Sequence, residues 1–262
     1  MRKRSKAESE SESKMKKALV LLVAVFLFVR CDNPADCVKS TGPMASKTFP
    51  DLEFQKILIN KNIALVLKQG ANTTVEIVSG ENLINDIEVS TTGNMITFKD
   101  NTSCNWTRDY GQTTVYITAP NITDIYSKTE QNITSDGLLS YKNLRLVAMD
   151  TEDQFDGAAT GDFVMQISNE SLLVEGNTIS QSHLSGTTQQ LNVRFYSGSG
   201  ILQAQNLIAN TVHIFHRGSN DMVVYPLQKI SGDIYSLGNV YAGFRPETVE
   251  VVEHYRGKLI FN

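Results

Sequence analysis

The sequence has few of the residues and patterns on which common catalytic sites depend. It contains four histidines, three cysteines and one tryptophan in 262 residues. It has no His-Glu-x-x-His zinc motif, no Gly-x-Ser-x-Gly nucleophile elbow and no phosphate-binding loop with a lysine. No apolar run reaches the roughly 20 residues that a membrane-spanning helix needs. These absences argue against the common metalloprotease, hydrolase and nucleotide-binding classes, and against a multi-span membrane protein.

The longest apolar run, Ala18 to Val29, has 12 residues. It follows two lysines and ends just before Cys31. Such a run matches the core of a secretory signal, and a cysteine in that place is where a bacterial lipoprotein signal is cut and its new N-terminus is acylated. We therefore predict a lipoprotein-type signal peptide over residues 15–30, with Cys31 as the lipid anchor.

Arg30 departs from this pattern, because lipoprotein cleavage prefers a small residue before the cysteine. Cleavage without lipidation and an uncleaved anchor are therefore the two alternatives.

Residues 1–14 are charged and low in complexity, which does not suit the start of a signal peptide. We expect them to be a non-native extension, with translation starting at Met15. Residues 31–50 contain three prolines and no apolar periodicity, so we predict a tether there, followed by a single all-β domain over 51–262.

The charge balance changes once the signal is removed. Residues 1–30 contain eight of the 24 basic residues and three of the 28 acidic ones, which leaves a net charge of −9 on the remainder. An acidic surface repels phosphate backbones, and no basic cluster offsets it. We therefore expect no nucleic-acid partner.

Cys37 and Cys104 are the cysteines that remain if Cys31 is acylated. In an oxidising compartment this even pair is a disulfide candidate. The bond would close a loop of about 67 residues and contribute about 2–4 kcal/mol if unstrained. Two unpaired thiols are the alternative.

From Phe54 onward, apolar and polar residues alternate with a period of two. Segments such as TTVEIVSG, MITFKDN and TTVYITAP are each bounded by Gly, Asn, Asp or Pro, as is typical of short strands that end in turns. Only residues 80–87 are expected to form a helical turn. The pattern therefore predicts an all-β fold.

Similar units of strand and turn begin at Leu172, Leu191, Val212 and Ile234. A step near 20 residues fits one coil of a β-helix, in which each rung stacks on the previous one. We predict a right-handed β-helix or β-solenoid-like stack of short strands, with a strand-rich part over 51–120 and repeat-like rungs over 121–262. A flat sandwich of hairpins is the alternative.

The densest polar cluster is HIFHRGSND, residues 213–221. Alternate side chains on a strand face opposite sides, so His213 and His216 are expected to point apart, which argues against a shared metal. If Val212 faces the core, His216 does too, where the preceding repeat has Phe195.

His216, Arg217, Asn220 and Asp221 are the candidate binding residues. One interpretation gives them a ligand. The other, which we favour, has His216 closing the core at a turn that the other three fix through backbone hydrogen bonds. No metal or cofactor is predicted.

Four segments together resemble a known family. They are CDNPADC after the signal, NTSCNWTRDYG in the middle, FHRGSNDM at 215–222 and the terminal GKLIFN. Their order and spacing resemble the autotransporter-adhesin "head GIN domain" family of Bacteroidetes over nearly all of residues 31–262. The resemblance implies an exported, often lipidated, β-solenoid-like protein whose family has a largely unknown function.

Two function classes follow. The first is a non-catalytic, adhesin-like binding or structural module, held at the outer membrane by lipid and facing either the periplasm or the outside, with a glycan or surface protein as ligand. The second is a β-helical polysaccharide lyase or hydrolase, which needs two carboxylates or an Arg–Asp pair in one cleft. Asp221 and Asp233 are one such candidate pair.

Overall fold

The computed structural model describes residues 36–50, 52–102, 105–106, 109, 111–150 and 157–262. This part of the chain contains two short 3-10 helices, Asp36–Val38 and Ile84–Asp86, and 17 strands, which confirms the all-β class. The second helix is the turn predicted within 80–87. No helix in the described residues is long and apolar enough to cross a bilayer.

The strands are β1 (Met44–Phe49), β2 (Lys56–Ile59), β3 (Ile63–Gln69), β4 (Thr74–Gly80), β5 (Ile87–Thr92), β6 (Met95–Asp100), β7 (Thr113–Ala119), β8 (Asp124–Ser127), β9 (Ile133–Leu139), β10 (Asn143–Ala148), β11 (Phe163–Gly176), β12 (Gln181–Phe195), β13 (Ile201–His216), β14 (Met222–Ile234), β15 (Val240–Ala242), β16 (Thr248–Glu253) and β17 (Leu259–Phe261).

The chain divides into two compact units, and the smaller one includes residues 36–40, 102 and 105–106 among those described. In it, Cys37 is buried and disulfide-bonded. The backbone N–H of Trp106 donates to the carbonyl oxygen of Cys37 at 3.0 Å. Cys104, the predicted partner of Cys37, lies outside the described residues, so the pairing remains a prediction.

The larger unit, Thr41–Asn101 and Asp109–Asn262, is built on two parallel ladders. The first ladder runs in the order β6, β2, β8, β10, β11, β12, β13, β14 and β16. The second runs β7, β3, β9, β11, β12, β13, β14, β15 and β17. The long strands β11 to β14 belong to both ladders. Each one therefore carries residues of two sheet surfaces.

The register of the first ladder explains the repeat in the sequence. Leu172 pairs with Leu191, Leu191 with Val212, and Val212 with Ile230. The repeat predicts that Ile234 is the partner of Val212 in the next unit. This prediction is wrong, because Ile234 pairs with His216. Register irregularities within β13 and β14 shift the partner of Val212 to four residues before Ile234.

The N-terminal part differs because several of its strands pair antiparallel. β5 and β6 form a hairpin in which Thr92 pairs with Met95, and Gly93 has a φ of +60°. A glycine at the first position of a two-residue loop suits such a turn. β1 and β7 flank β4, both antiparallel to it. β1 lies inside the interval 31–50 predicted as a tether, so the sheet begins earlier in the sequence than expected.

The core of the larger unit is formed by the inward-facing side chains of the two ladders. Leu172, Leu191, Val212 and Ile230 are each no more than 2% exposed and stack along the ladder. Each such side chain contributes about 1.5–3 kcal/mol by leaving water. No single strand could bury these side chains alone, so the packing of neighbouring strands creates the core.

The first halves of the long strands were not predicted. The segment QSHLSGTT, for example, forms the start of β12 although serine, glycine and threonine dominate it. Gly186 bends this strand with a φ of +110°, and a Cβ there would lie 2.0 Å from the carbonyl oxygen of Ile167. Only glycine fits that position.

Candidate functional site

His216 occupies the core position that the alternation predicts. It is fully buried, and its ring meets the Phe195 ring edge to face, with centroids 6.2 Å apart. The N–H of Gly218 donates to Nδ1 at 3.4 Å, and Nε2 lies 3.0 Å from the carbonyl oxygen of Asn220. Nε2 therefore carries the proton, and burial lowers the pKa of His216 below its usual value. The ring is a neutral core group.

The other three candidates fix the turn after β13. The Arg217 N–H donates to the Phe195 carbonyl at 2.8 Å, and the side-chain amide of Asn220 donates to the Ser199 carbonyl at 2.7 Å. Asp221 Oδ1 accepts the backbone N–H of Asn239 at 2.7 Å. These bonds join successive turns, as the favoured interpretation expects. A ligand for the cluster stays an untested prediction.

Cys31, the predicted lipid anchor, lies outside the described residues. In the part of the chain that the structure describes, no group of three or more His, Cys, Asp or Glu residues could hold a metal ion.

A charged network crosses the first ladder on its outward side. Arg145 Nε donates to Glu175 Oε2 at 2.5 Å, and its Nη1 lies 3.7 Å from Asp124 Oδ1. The Tyr196 hydroxyl donates to Glu175 Oε1 at 2.7 Å, and that of Tyr126 to Asp124 at 3.3 Å. This network was not predicted, because its members are separated in the sequence and only the register brings them together.

The polar groups of the network form hydrogen bonds with one another. Glu175 is 4% exposed, and both of its oxygens accept hydrogen bonds. Burial, followed by the neighbouring carboxylate of Asp124, raises the pKa of Tyr126. Burial and the hydrogen bond to Glu175 raise the pKa of Tyr196. Because Glu175 is held by Arg145 and Tyr196, the arrangement clamps neighbouring strands and leaves no free acid or base at Glu175.

An aromatic stripe continues from this network. The rings of Tyr196, Phe215, Tyr235 and His254 follow one another with centroid distances of 5.7, 5.4 and 4.1 Å. The last two rings are nearly parallel, at 5°. His254 Nε2 also lies 2.7 Å from Asp233 Oδ1. Because each ring packs against the next, the stripe joins successive strands.

A groove lies on the outward side of the second ladder, and we call it the amide groove. It has a volume of about 300 Å³. Its lining residues are Ser135, Val164, Met165, Gln166, His183, Leu184, Ser185, Gln203, Gln205 and Asn206.

Irregular pairing forms this groove. The register shifts between Val164 and Gln166 where β11 meets β9, and between His183 and Ser185 where β12 meets β13. β13 shifts again after Gln203, where it meets β14. Bulges of this kind bend a strand and redirect its side chains. Three neighbouring strands bulge at the same level, so a concave surface forms on an otherwise regular ladder.

The groove is polar but carries no Asp, Glu, Lys or Arg. Within the described residues, the side chains of Gln166, His183, Gln203, Gln205 and Asn206 have no hydrogen-bond partner. Asparagines elsewhere are used differently. Those at 60, 177 and 220 all donate to backbone carbonyls. The groove therefore presents unused donors and acceptors on a rigid sheet.

Sequence reasoning missed this site. The signal available was the segment QAQN at 203–206, which concentrates amides on a strand. Alternation alone does not show that bulges turn those amides toward Gln166 and His183 of neighbouring strands.

Fold and site together define an all-β scaffold with an uncharged, amide-lined surface groove. Residues 53–246 match the family described as "Putative auto-transporter adhesin, head GIN domain". The chain therefore belongs to the head GIN domain family, as the resemblance in its sequence predicted.

Several solved bacterial structures share the fold. A "putative adhesin" from Bacteroides fragilis superposes with a TM-score of 0.74 at 19% identity, covering 85% of this chain and 99% of that one. A "putative adhesin" from Parabacteroides merdae gives 0.55 at 14%, with coverage of 87% and 100%. A "putative lipid binding protein" from Parabacteroides distasonis gives 0.59 at 12%, with 84% and 98%. No curated protein matches the chain.

Proposed function

We propose that this chain is a non-catalytic binding module of the bacterial envelope, anchored by lipid at Cys31, and that its ligand binds in the amide groove. The observation that carries the proposal is the set of unpaired polar side chains at Gln166, His183, Gln203, Gln205 and Asn206. A concave cluster of unpaired amides on rigid strands is suited to hold a ligand.

The scaffold in this proposal is a right-handed β-helix. Two parallel ladders that share the long strands β11 to β14 support it. Crossover connections between parallel strands of one sheet are right-handed in nearly all proteins. Such a scaffold holds the backbone of the groove strands in place, which fixes the points from which the groove side chains extend.

Binding without catalysis fits the chemistry of the groove. Hydrolysis of a glycosidic bond uses a pair of carboxylates that flank it, and the groove has no carboxylate. The carboxylates nearest to an enzymatic arrangement, Asp124 and Glu175, share Arg145 in the clamp. Asp221 and Asp233, the pair suggested by the sequence, bind Asn239 and His254 respectively.

Retention of protein-coated beads tests the proposal. Beads carrying purified residues 31–262 are passed over surfaces coated with mucin, bacterial cell-wall polysaccharide or collagen. The groove variant is Gln166→Leu with Gln203→Leu. The control is Gln190→Leu, an exposed glutamine of β12 outside the groove.

We expect at least one surface to retain the wild type and the control but not the groove variant. Equal retention of the groove variant, or no retention of the wild type on any surface, overturns the proposal. Release of reducing sugar from the polysaccharide would support the enzymatic alternative instead.

A further inference from the structure

We infer that the amide groove binds a neutral glycan chain. This inference rests on the proposed function and adds the chemical class of its ligand. The side chains concerned are the unpaired Gln166, His183, Gln203, Gln205 and Asn206, from three neighbouring strands.

The donor and acceptor pattern fits hydroxyl groups. A glutamine or asparagine side chain offers two N–H donors and a carbonyl acceptor, and the His183 ring adds a further N–H donor. A sugar hydroxyl also donates and accepts, so neighbouring hydroxyls can bridge one amide in both directions. Gln203, Gln205 and Asn206 concentrate three amides within four residues of β13.

The absence of charged side chains in the groove selects against ionic ligands. A carboxylate or sulfate that is desolvated without a paired cation costs free energy, and the lining residues include no Lys or Arg. Residues 31–262 also carry a net charge of −9, which disfavours the approach of an acidic polymer. A cationic ligand lacks a carboxylate partner in the groove for the same reason.

The position of the groove disfavours an extended peptide. Peptides commonly bind by adding a strand to an exposed sheet edge. β11, β12 and β13 each pair with a strand on both sides, so the groove offers no such edge.

An apolar surface completes the match to a sugar. Val164 is 43% exposed and lines the groove together with the polar side chains. Sugar rings carry C–H groups that pack on such a surface while their hydroxyls reach the amides. Strands about 4.8 Å apart place the polar side chains of β11, β12 and β13 along a row about 10 Å long. That length fits a short segment of a chain lying across the strands.

Calorimetric titration of the purified mature chain with defined oligosaccharides tests the inference. The neutral probes are hexasaccharides of glucose (α-1,4, β-1,4 and β-1,3), mannose, xylose and galactose, and the acidic probe is hexagalacturonate. Each is titrated into the wild type, Gln203→Leu, Gln166→Leu and the control Gln190→Leu. Circular dichroism verifies that each variant is folded.

We expect at least one neutral series to bind the wild type and the control, with affinity at least tenfold lower in Gln203→Leu and Gln166→Leu, and no binding of hexagalacturonate. Binding of the acidic probe alone, binding unaffected by both groove variants, or no binding of any neutral probe overturns the inference. If groove-dependent bead retention persists while every neutral probe fails, the proposed function stands and the ligand class is wrong. If retention does not depend on the groove, the proposed function itself fails.

Discussion

The His216 ring lies edge to face against the Phe195 ring, with centroids 6.2 Å apart, and it is fully buried. Phe195 pairs with His216 across β12 and β13, so the two rings are direct neighbours in the ladder. A titratable side chain therefore occupies a place that apolar residues fill elsewhere along the core. The stability of the fold should depend on its protonation.

The His216 position predicts a stability that falls in acid. Burial lowers the folded-state pKa of His216 below the ordinary value of 6.5. Its contribution to stability is complete above that value, where both states are neutral. It is lost as the pH falls from 6.5 toward the folded pKa, since the unfolded chain binds the proton first.

The test is the free energy of unfolding in urea at pH 7.5 and pH 5.0 for the wild type and His216→Gln. The variant should lose part of the acid-induced destabilisation. The matched control is His213→Gln, on the exposed side of the same strand. An unchanged difference between the two pH values in His216→Gln contradicts the prediction.

The ion pair between Arg145 and Glu175, which we call the clamp, predicts that Glu175→Gln lowers the free energy of unfolding. The substitution removes a charged acceptor that is 4% exposed and leaves Arg145 without its closest carboxylate. Hydrogen bonds to charged groups contribute about 1.5–3 kcal/mol, and partial exposure of Arg145 lowers the expected loss to about 1–2 kcal/mol. Urea denaturation measures it.

Glu250→Gln is the control for the clamp. Glu250 pairs with Lys229 on the surface, where its side chain is 60% exposed. Such pairs contribute less than about 1 kcal/mol. If both variants lose the same stability, the clamp interpretation is wrong.

Gly186→Ala is predicted to destabilise the protein strongly. The new Cβ would lie 2.0 Å from the carbonyl oxygen of Ile167, at a φ of +110°. Steric overlap with backbone adds to the cost of a disfavoured conformation, so we expect a loss of about 3 kcal/mol or more.

Gly137→Ala separates the two causes. Gly137 has a φ of +86°, but nothing lies within 4 Å of its Cβ position. It should therefore cost only the backbone strain, about 1–2 kcal/mol. Thermal denaturation of both variants checks the order, and a smaller loss at Gly186 than at Gly137 would show that the close approach is absent.

Local pattern predicted the parts of this molecule that depend on neighbouring residues. The alternation predicted the strand class and placed His216 inward, because side-chain direction follows from a period of two. It also located the turn near Ile84–Asp86. These features need no knowledge of which strands pair.

The strand register and the bulges could not be predicted from the sequence, because they depend on pairing between distant segments. Val212 pairs with Ile230 and not with Ile234, and nothing local distinguishes the two isoleucines. The amide groove depends on register shifts in several strand pairings at once. The sequence therefore did not indicate that Gln166, His183 and Gln203 lie together. The first half of β12 is also polar, so the alternation of apolar and polar residues did not indicate a strand there.

The Cys37–Cys104 disulfide is predicted to appear in peptide mapping. Cys37 is disulfide-bonded, and the backbone of Trp106, two residues after Cys104, donates to the Cys37 carbonyl. Digestion without reduction should release a linked peptide pair that separates on reduction. A linked pair containing Cys37 and Cys31 instead would also remove the proposed lipid site.

Lipidation at Cys31 is the step on which the envelope location depends. Arg30 precedes the cysteine where a small residue is preferred, so the processing enzyme must accept a bulky basic side chain. We expect labelling with a fatty-acid analogue in the wild type and none in Cys31→Ala, while Cys37→Ala keeps the label. An unlabelled protein in the medium indicates cleavage without lipidation, and an unlabelled protein in the membrane fraction indicates an uncleaved anchor. Protease treatment of intact cells then decides between the two sides of the outer membrane, because only an outward-facing groove can meet a ligand beyond the cell.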